Sequence, residues 1–198
     1  MTDTEFARQV ENYVAAGFAA AAGLGERAFR NRLAPLEQAF LSADDAVIVL
    51  KRDFATPEKL VEAIDRDDGK PDTVIGAEAL AAYGEREGVA IPEVPAYVIH
   101  GIDKQPDTRN VAPSEALDGI MAAGRSPLTI EEGLALWRHF PDVIAVNDGL
   151  SLAGSTRGDK RVPAIWISKK KPKLGWCFFG VPHTWLATAS LAGRVGGE

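Results

Sequence analysis

The chain has 198 residues, 46% of them apolar and 25% charged, with a net charge of −6, enough apolar sequence to bury a core and too much for wholesale disorder. The single Cys177 and the histidines His100, His139 and His183 exclude a disulfide framework and a cysteine- or histidine-rich centre, so no metal and no cofactor are expected. The acidic balance argues against a wholly basic nucleic-acid binder, and the acidic opening Met1 to Glu5 against an export signal, which leaves a cytoplasmic protein as the expectation.

In chain order, Thr2 and Glu5 have the spacing of a capping box ahead of Phe6, Val10, Tyr13 and Val14 at helical spacing. Phe29, Leu33, Leu36 and Phe40 continue the stripe, with Pro35 as a kink or restart, so residues 1–42 read as a helical segment. Ala46 to Leu50 reads as a short buried strand. Thr56-Pro57-Glu58 then opens a helix to about Asp65, with an N-cap, proline at the first helical position and an acid in the first turn. Residues 66–74 read as a loop, residues 77–84 as a weak Ala-rich helix and Pro95 to Ile102 as a strand. Residues 103–109 turn into a helix from Ser114 to Ala123 that stops at Gly124. Thr129 and Glu132 make a second capping box, for a helix ending before Pro141.

Residues 150–195 change character. Leu150–Ser155, Val162–Ser168, Leu174–Phe179 and Trp185–Val195 read as a Trp-rich β-meander, the last of them with a helical alternative. The stretch Leu174 to Gly193 carries no Asp, Glu, Lys or Arg, but the Pro182-His183-Thr184 interruption and its glycines favour core strands over a membrane span. If Lys169 to Lys173 is the hairpin loop, Trp166 stands opposite Trp176 and Ala164 opposite Phe178, while Ile165, Ile167, Cys177 and Phe179 share the other face. Both faces are apolar, so the hairpin should be covered on both sides. The expected architecture is α+β over residues 1–198, with N-terminal helices packed on a largely antiparallel C-terminal sheet.

Between Arg157 and Lys173 stand seven Lys or Arg against Asp159 alone, a local +6 that leaves −12 for the rest of the chain. Hairpin turns at the two ends of the strand 161–168 lie about 25 Å apart at normal strand rise, so these cations need not form one patch. The plainer reading is a set of charged tips that protect an apolar sheet.

Several segments carry a family resemblance. Arg125 to Gly133 (RSPLTIEEG), Arg161 to Ser168 (RVPAIWIS), Pro172 to Cys177 (PKLGWC) and Pro182 to Leu186 (PHTWL) together resemble an uncharacterised actinobacterial family of unknown function, and Phe6 to Gln9 and Arg32 to Leu36 extend the likeness over nearly the whole chain. The resemblance implies a bacterial cytoplasmic protein with no assigned activity and no catalytic residues to carry over. His100 stands where it implies an acid, and Ala112 where it implies a capping Thr.

Two motifs mislead. Gly23, Gly25 and Ala28 fit a dinucleotide fingerprint, but a helical stripe precedes them where the chemistry needs a strand, so a glycine break between helices is the better reading. Arg157-Gly158-Asp159 reads as a turn. Cys177, between Trp176 and Phe178, reads as a buried inert thiol rather than the partner of His183 in a nucleophilic pair. Asp103 and Asp107 fall short of a cation site.

The candidate ligand-binding residues are Trp166, Trp176, His183, Trp185 and Arg161: three rings for stacking, one cation, and a histidine on a Pro-flanked turn beside an aromatic. With no nucleophile–base pair, metal set or phosphate loop, the expected function is a non-catalytic binding or accessory protein that presents the Trp-rich sheet to a small ligand or a protein partner. The alternative is a cofactor-independent enzyme using His183 as general acid or base.

Overall fold

The computed structural model describes residues 3–64 and 69–197. Thr2 of the first expected capping box and the expected helix end and loop at residues 65–68 lie outside them. Helix α1 (Asp3–Ala15) buries Phe6, Val10 and Tyr13 on one face, as the spacing requires. Two short helices follow, α2 (Phe18–Ala21) and α3 (Glu26–Leu33), with Gly23 between them at a φ of 68°. No strand leads into these glycines, and they break two helices. Pro35 sits in a 3-10 turn, Ala34–Leu36, from which α4 (Glu37–Leu41) runs on without a sharp stop.

The strand β1 (Val47–Leu50) is buried at every position. It forms one edge of a three-stranded sheet, and α1 finishes that edge with side chains. The buried Gln9 amide donates to the Ala46 carbonyl (3.0 Å) and its oxygen accepts from Ile48 N–H (2.9 Å), while the Tyr13 hydroxyl donates to the Ile48 carbonyl (2.7 Å). Gln9 thereby does for β1 what a residue of a further strand would do, pairing the Ala46 carbonyl and the Ile48 N–H.

Thr56 caps α5 (Pro57–Glu62) by accepting Lys59 N–H at 3.3 Å. Short pieces follow: β2 (Asp72–Thr73), α6 (Ala77–Ala81) and β3 (Gly84–Glu85). Then come β4 (Ala96–His100), α7 (Pro113–Ala122), β5 (Ser126–Pro127) and α8 (Ile130–His139). The Ala112 position is the N-cap of α7 and gives it no side-chain bond. In α8 the capping box forms fully: Thr129 Oγ1 accepts Glu132 N–H (3.3 Å) and Glu132 Oε2 accepts Thr129 N–H (2.8 Å).

The remaining strands are β6 (Gly149–Ser151), β7 (Ser155–Thr156), β8 (Arg161–Ser168), β9 (Lys171–Phe178), β10 (Leu186–Thr188), β11 (Ser190–Leu191) and β12 (Gly193–Gly196). The segment from Trp185 onward is therefore strand, not helix. Helices dominate the N-terminal part and strands the C-terminal part, an α+β fold. Within the five-stranded sheet, ordered β10-β6-β8-β9-β2, the antiparallel meander is β6-β8-β9; β10 joins β6 and β2 joins β9 in parallel at its edges. The last strand leaves this sheet and pairs antiparallel with β4, so the chain's end completes the sheet β1-β4-β12.

The hairpin register differs from expectation. Ser168 pairs with Lys171, Trp166 with Lys173 and Pro163 with Trp176. The connection is a two-residue turn in which Lys169 (φ 52°) and Lys170 (φ 61°) both adopt the left-handed conformation that a primed hairpin turn needs. This is an odd shift from the five-residue loop, and an odd shift moves every side chain of one strand to the other face. Trp166 and Trp176 therefore lie on opposite faces. Trp166, Ala164 and Val162 share one with Lys173, Gly175 and Cys177; Ile165 and Ile167 share the other with Leu174, Trp176 and Phe178.

Both faces of the hairpin are nonetheless covered. Ile165 and Leu174 join the main core with Leu150, Leu152, Trp137 and the helical stripes. On the other face Val162, Ala164, Cys177, Ala153 and Leu186 make a second, smaller cluster. Among the described residues no helix is long and apolar enough to cross a membrane.

Candidate functional site

The smaller cluster carries half-buried rings at its rim. His183 and Trp185 meet with ring centroids 5.4 Å apart, and Trp185 and Trp166 also meet at 5.4 Å, so three rings run in a row. Their supports are glycines. Trp166, Gly149 and Leu186 are cross-strand neighbours on β8, β6 and β10. A Cβ on Gly149 would sit 2.8 Å from Trp166 Cβ, 2.9 Å from Leu186 Cδ2 and 2.7 Å from the Ile165 carbonyl oxygen. A Cβ on Gly175 would lie 2.3 Å from Trp166 Cη2 and 2.5 Å from Val74 Cγ2. The missing side chains let Trp166 lie flat across β9 and still touch Trp185 across β6. Val74, 54% exposed, extends this apolar surface beyond Gly175.

His183 is held by its backbone, whose carbonyl accepts from Asn110 N–H (3.0 Å) and Leu186 N–H (3.4 Å). Its Nε2 is buried without a hydrogen-bond partner among the described residues. Trp185 is anchored in the same way, its carbonyl accepting Gly149 N–H at 2.9 Å. Next to this row Asp148 accepts hydrogen bonds from Lys104 and Arg109. Burial pushes the Asp148 carboxyl up, but the bonds from Lys104 and Arg109 outweigh it and hold the group below its ordinary range.

Trp176 and Arg161 belong elsewhere. On the opposite face the Arg161 guanidinium lies over the Trp176 ring at 4.5 Å, and Trp176 packs edge-on against Phe178 at 5.1 Å. Arg161 also shares Asp159 with Arg157. The structure thus gathers Trp166, Trp185 and His183 of the expected set and separates Trp176 and Arg161 from them. The two basic tips fall at opposite ends of β8, Arg161 pairing with Phe178 at one and Ser168 with Lys171 at the other. Cys177 is 3% exposed, and burial pushes its thiol up to about 12, the state of an unreactive thiol.

Two polar centres were not anticipated from the sequence. Glu132 is wholly buried: Oε1 accepts from Tyr97 Oη (2.9 Å) and Arg194 Nε (2.5 Å), and Oε2 from Arg194 Nη2 (2.9 Å) and Thr129 N–H. With every lone pair engaged this is a structural lock between α8, β4 and β12. Beside it a cavity of about 100 Å3 is lined by Lys51, Arg52, Glu85, Tyr97 and Glu131. Burial pushes the Glu131 carboxyl up, against the pull of Arg52 at 2.8 Å. The cavity is well below the several hundred Å3 of a small-molecule pocket. Among the described residues no group of three or more His, Cys, Asp or Glu could hold a metal ion.

A family model matches residues 12–197, and the chain belongs to that family, DUF5701, a family of unknown function. No curated protein and no solved structure matches it.

Proposed function

We propose that this DUF5701 chain is a non-catalytic binding or accessory protein, acting in the cytoplasm of an actinobacterium, that offers the row Trp166–Trp185–His183 to a small ligand or a protein partner. The observation that carries this reading is the row itself. Three rings stand side by side at the rim of a thin second core, and two glycines are spent on seating one of them. A core-filling tryptophan needs no such seating; Trp137, wholly buried in the main core, is the comparison within this chain. Half-exposed indoles give a large rigid contact area at low entropic cost, which suits recognition.

The acid–base alternative at His183 has in its favour an imidazole nitrogen without a partner. Against it, no hydrogen bond among the described residues orients the imidazole, and general acid–base work needs a held ring. The experiment is retention from native lysate, with mass spectrometry of bound metabolites and proteins, on the wild type and on Trp185→Leu. A species retained by the wild type and lost with Trp185→Leu supports the reading. Retention that Trp185→Leu leaves unchanged, or turnover of a retained metabolite that stops in His183→Ala, contradicts it.

A further inference from the structure

One end of the aromatic row meets a cluster of charge. Asn110 N–H donates to the His183 carbonyl (3.0 Å), which sets Arg109 beside the histidine turn; Gly149 N–H donates to the Trp185 carbonyl (2.9 Å), which sets Asp148 beside Trp185. Asp148 is the one carboxylate ion-paired to Lys104 and Arg109 among the described residues. Lys104 and Arg109 thus converge on the Asp148 carboxylate, with Asp103 and Asp107 in the same segment as the two cations. The three side chains are 31%, 37% and 26% exposed for Lys104, Arg109 and Asp148, so solvent and small solutes reach them.

Two nitrogens in this corner, Arg109 Nε and His183 Nε2, are buried and lack a hydrogen-bond partner among the described residues. A guanidinium N–H shielded from water with no acceptor is costly, and such a group in a folded protein calls for an explanation. An anionic oxygen would answer the Arg109 N–H and the imidazole together. The ring row supplies a stacking surface next to it, and at its other end Lys173 stands directly opposite Trp166 on the same face.

We propose that this corner binds a small planar anion, its ring on Trp185 and Trp166 and its negative group on Arg109, Lys104 and His183. The inference rests on the aromatic-platform reading above and adds the charge of the ligand. Nucleoside monophosphates and aryl carboxylates both have this chemistry: a flat π-face for the indoles and oxygens for a guanidinium fork.

The test is calorimetric titration at low salt with two matched pairs, AMP with adenosine and indole-3-carboxylate with indole. Each anion should bind about tenfold or more tightly than its neutral partner, the worth of one charge-assisted hydrogen bond. The pair with the larger ratio identifies the source. Arg109→Gln should abolish the preference and leave the neutral ring's affinity unchanged, and Lys104→Gln should reduce it, which keeps the test sound if Arg109→Gln does not fold. Neutral rings binding as well as their anions would overturn the anion site and leave the platform standing. A preference that survives both substitutions would also overturn it. Binding by none of the four probes would overturn the platform as well.

Discussion

His139 is 2% exposed at the C-terminal end of α8, and neither ring nitrogen has a hydrogen-bond partner among the described residues. Tyr13 of α1 meets its ring edge-on at 4.6 Å, and the cations of Arg138 and Arg8 face it from α8 and α1. Burial, then Arg138, then Arg8 all disfavour the imidazolium and hold the group well below its ordinary value. The unfolded chain therefore takes up a proton at this site before the folded one does. Stability is fully present above the unfolded value of about 6.5 and falls as the pH drops below it, by about 1.4 kcal/mol per pH unit until the folded value is reached. Between pH 7 and pH 5 this site should remove stability, at most about 2 kcal/mol, the ceiling that about 1.4 kcal/mol per pH unit below about 6.5 sets. The perturbation is His139→Leu, which keeps an apolar side chain against Tyr13 and cannot titrate. Urea unfolding followed by tryptophan fluorescence at pH 7, 6 and 5 gives the stability of both proteins. Glu131, whose raised carboxyl works in the opposite direction, is common to both and cancels in the difference. The wild type should lose more stability than the variant over this range, by up to about 2 kcal/mol, whatever their offset at pH 7. Parallel stability curves would refute the claim that His139 is buried neutral.

Cys177 should react slowly with a thiol reagent at neutral pH and fast in denaturant, since burial raises its thiol to about 12; Cys177→Ser should cost roughly 1–3 kcal/mol for an unpartnered hydroxyl, read from urea unfolding. Arg194→Met should destabilise by about 3–5 kcal/mol, because it strands the buried Glu132 carboxylate, and Glu132→Gln in the same chain should recover part of that loss in the same assay. Gly149→Ala should cost about 1–3 kcal/mol, since the added methyl meets the Ile165 backbone as well as Trp166, and it should disturb the near-UV signal of the indoles.

Local signals proved readable where the chemistry is local. Thr56-Pro57, the Thr129–Glu132 box, the stripe Phe29–Leu33–Leu36–Phe40 and the buried strand ending at Leu50 all act through neighbours a few residues away, and each appears in place. The hairpin register was missed because Lys169-Lys170 carries no turn chemistry: lysines rarely adopt positive φ, and Asn-Gly would have announced the tight turn that these two make. That error of register placed Trp166 with Trp176; Arg161, five residues from Trp166 on the same strand, faces the opposite side in either register. The parallel additions of β10 and β2, and the departure of β12 to pair with β4, depend on contacts between distant segments and leave no periodicity to read. Nor did Gln9 stand out, since a buried glutamine closing a strand edge looks like any polar residue on a helix. The signal for the aromatic row was available in principle. Gly149 and Gly175 sit inside strand patterns, where a glycine marks the close approach of another group.

The central claim is that Trp166 and Trp185, and not Trp176 or Trp137, form a surface for ligands. The four indole N–H signals of a 15N-labelled sample report on it directly once each is assigned by a Trp→Phe substitution. Titration with adenosine as a neutral planar probe should shift the Trp166 and Trp185 signals together, leave Trp137 in place, and leave Trp176 on the far face unmoved. Shifts confined to Trp176, or four signals that stay still up to millimolar probe, would contradict the account.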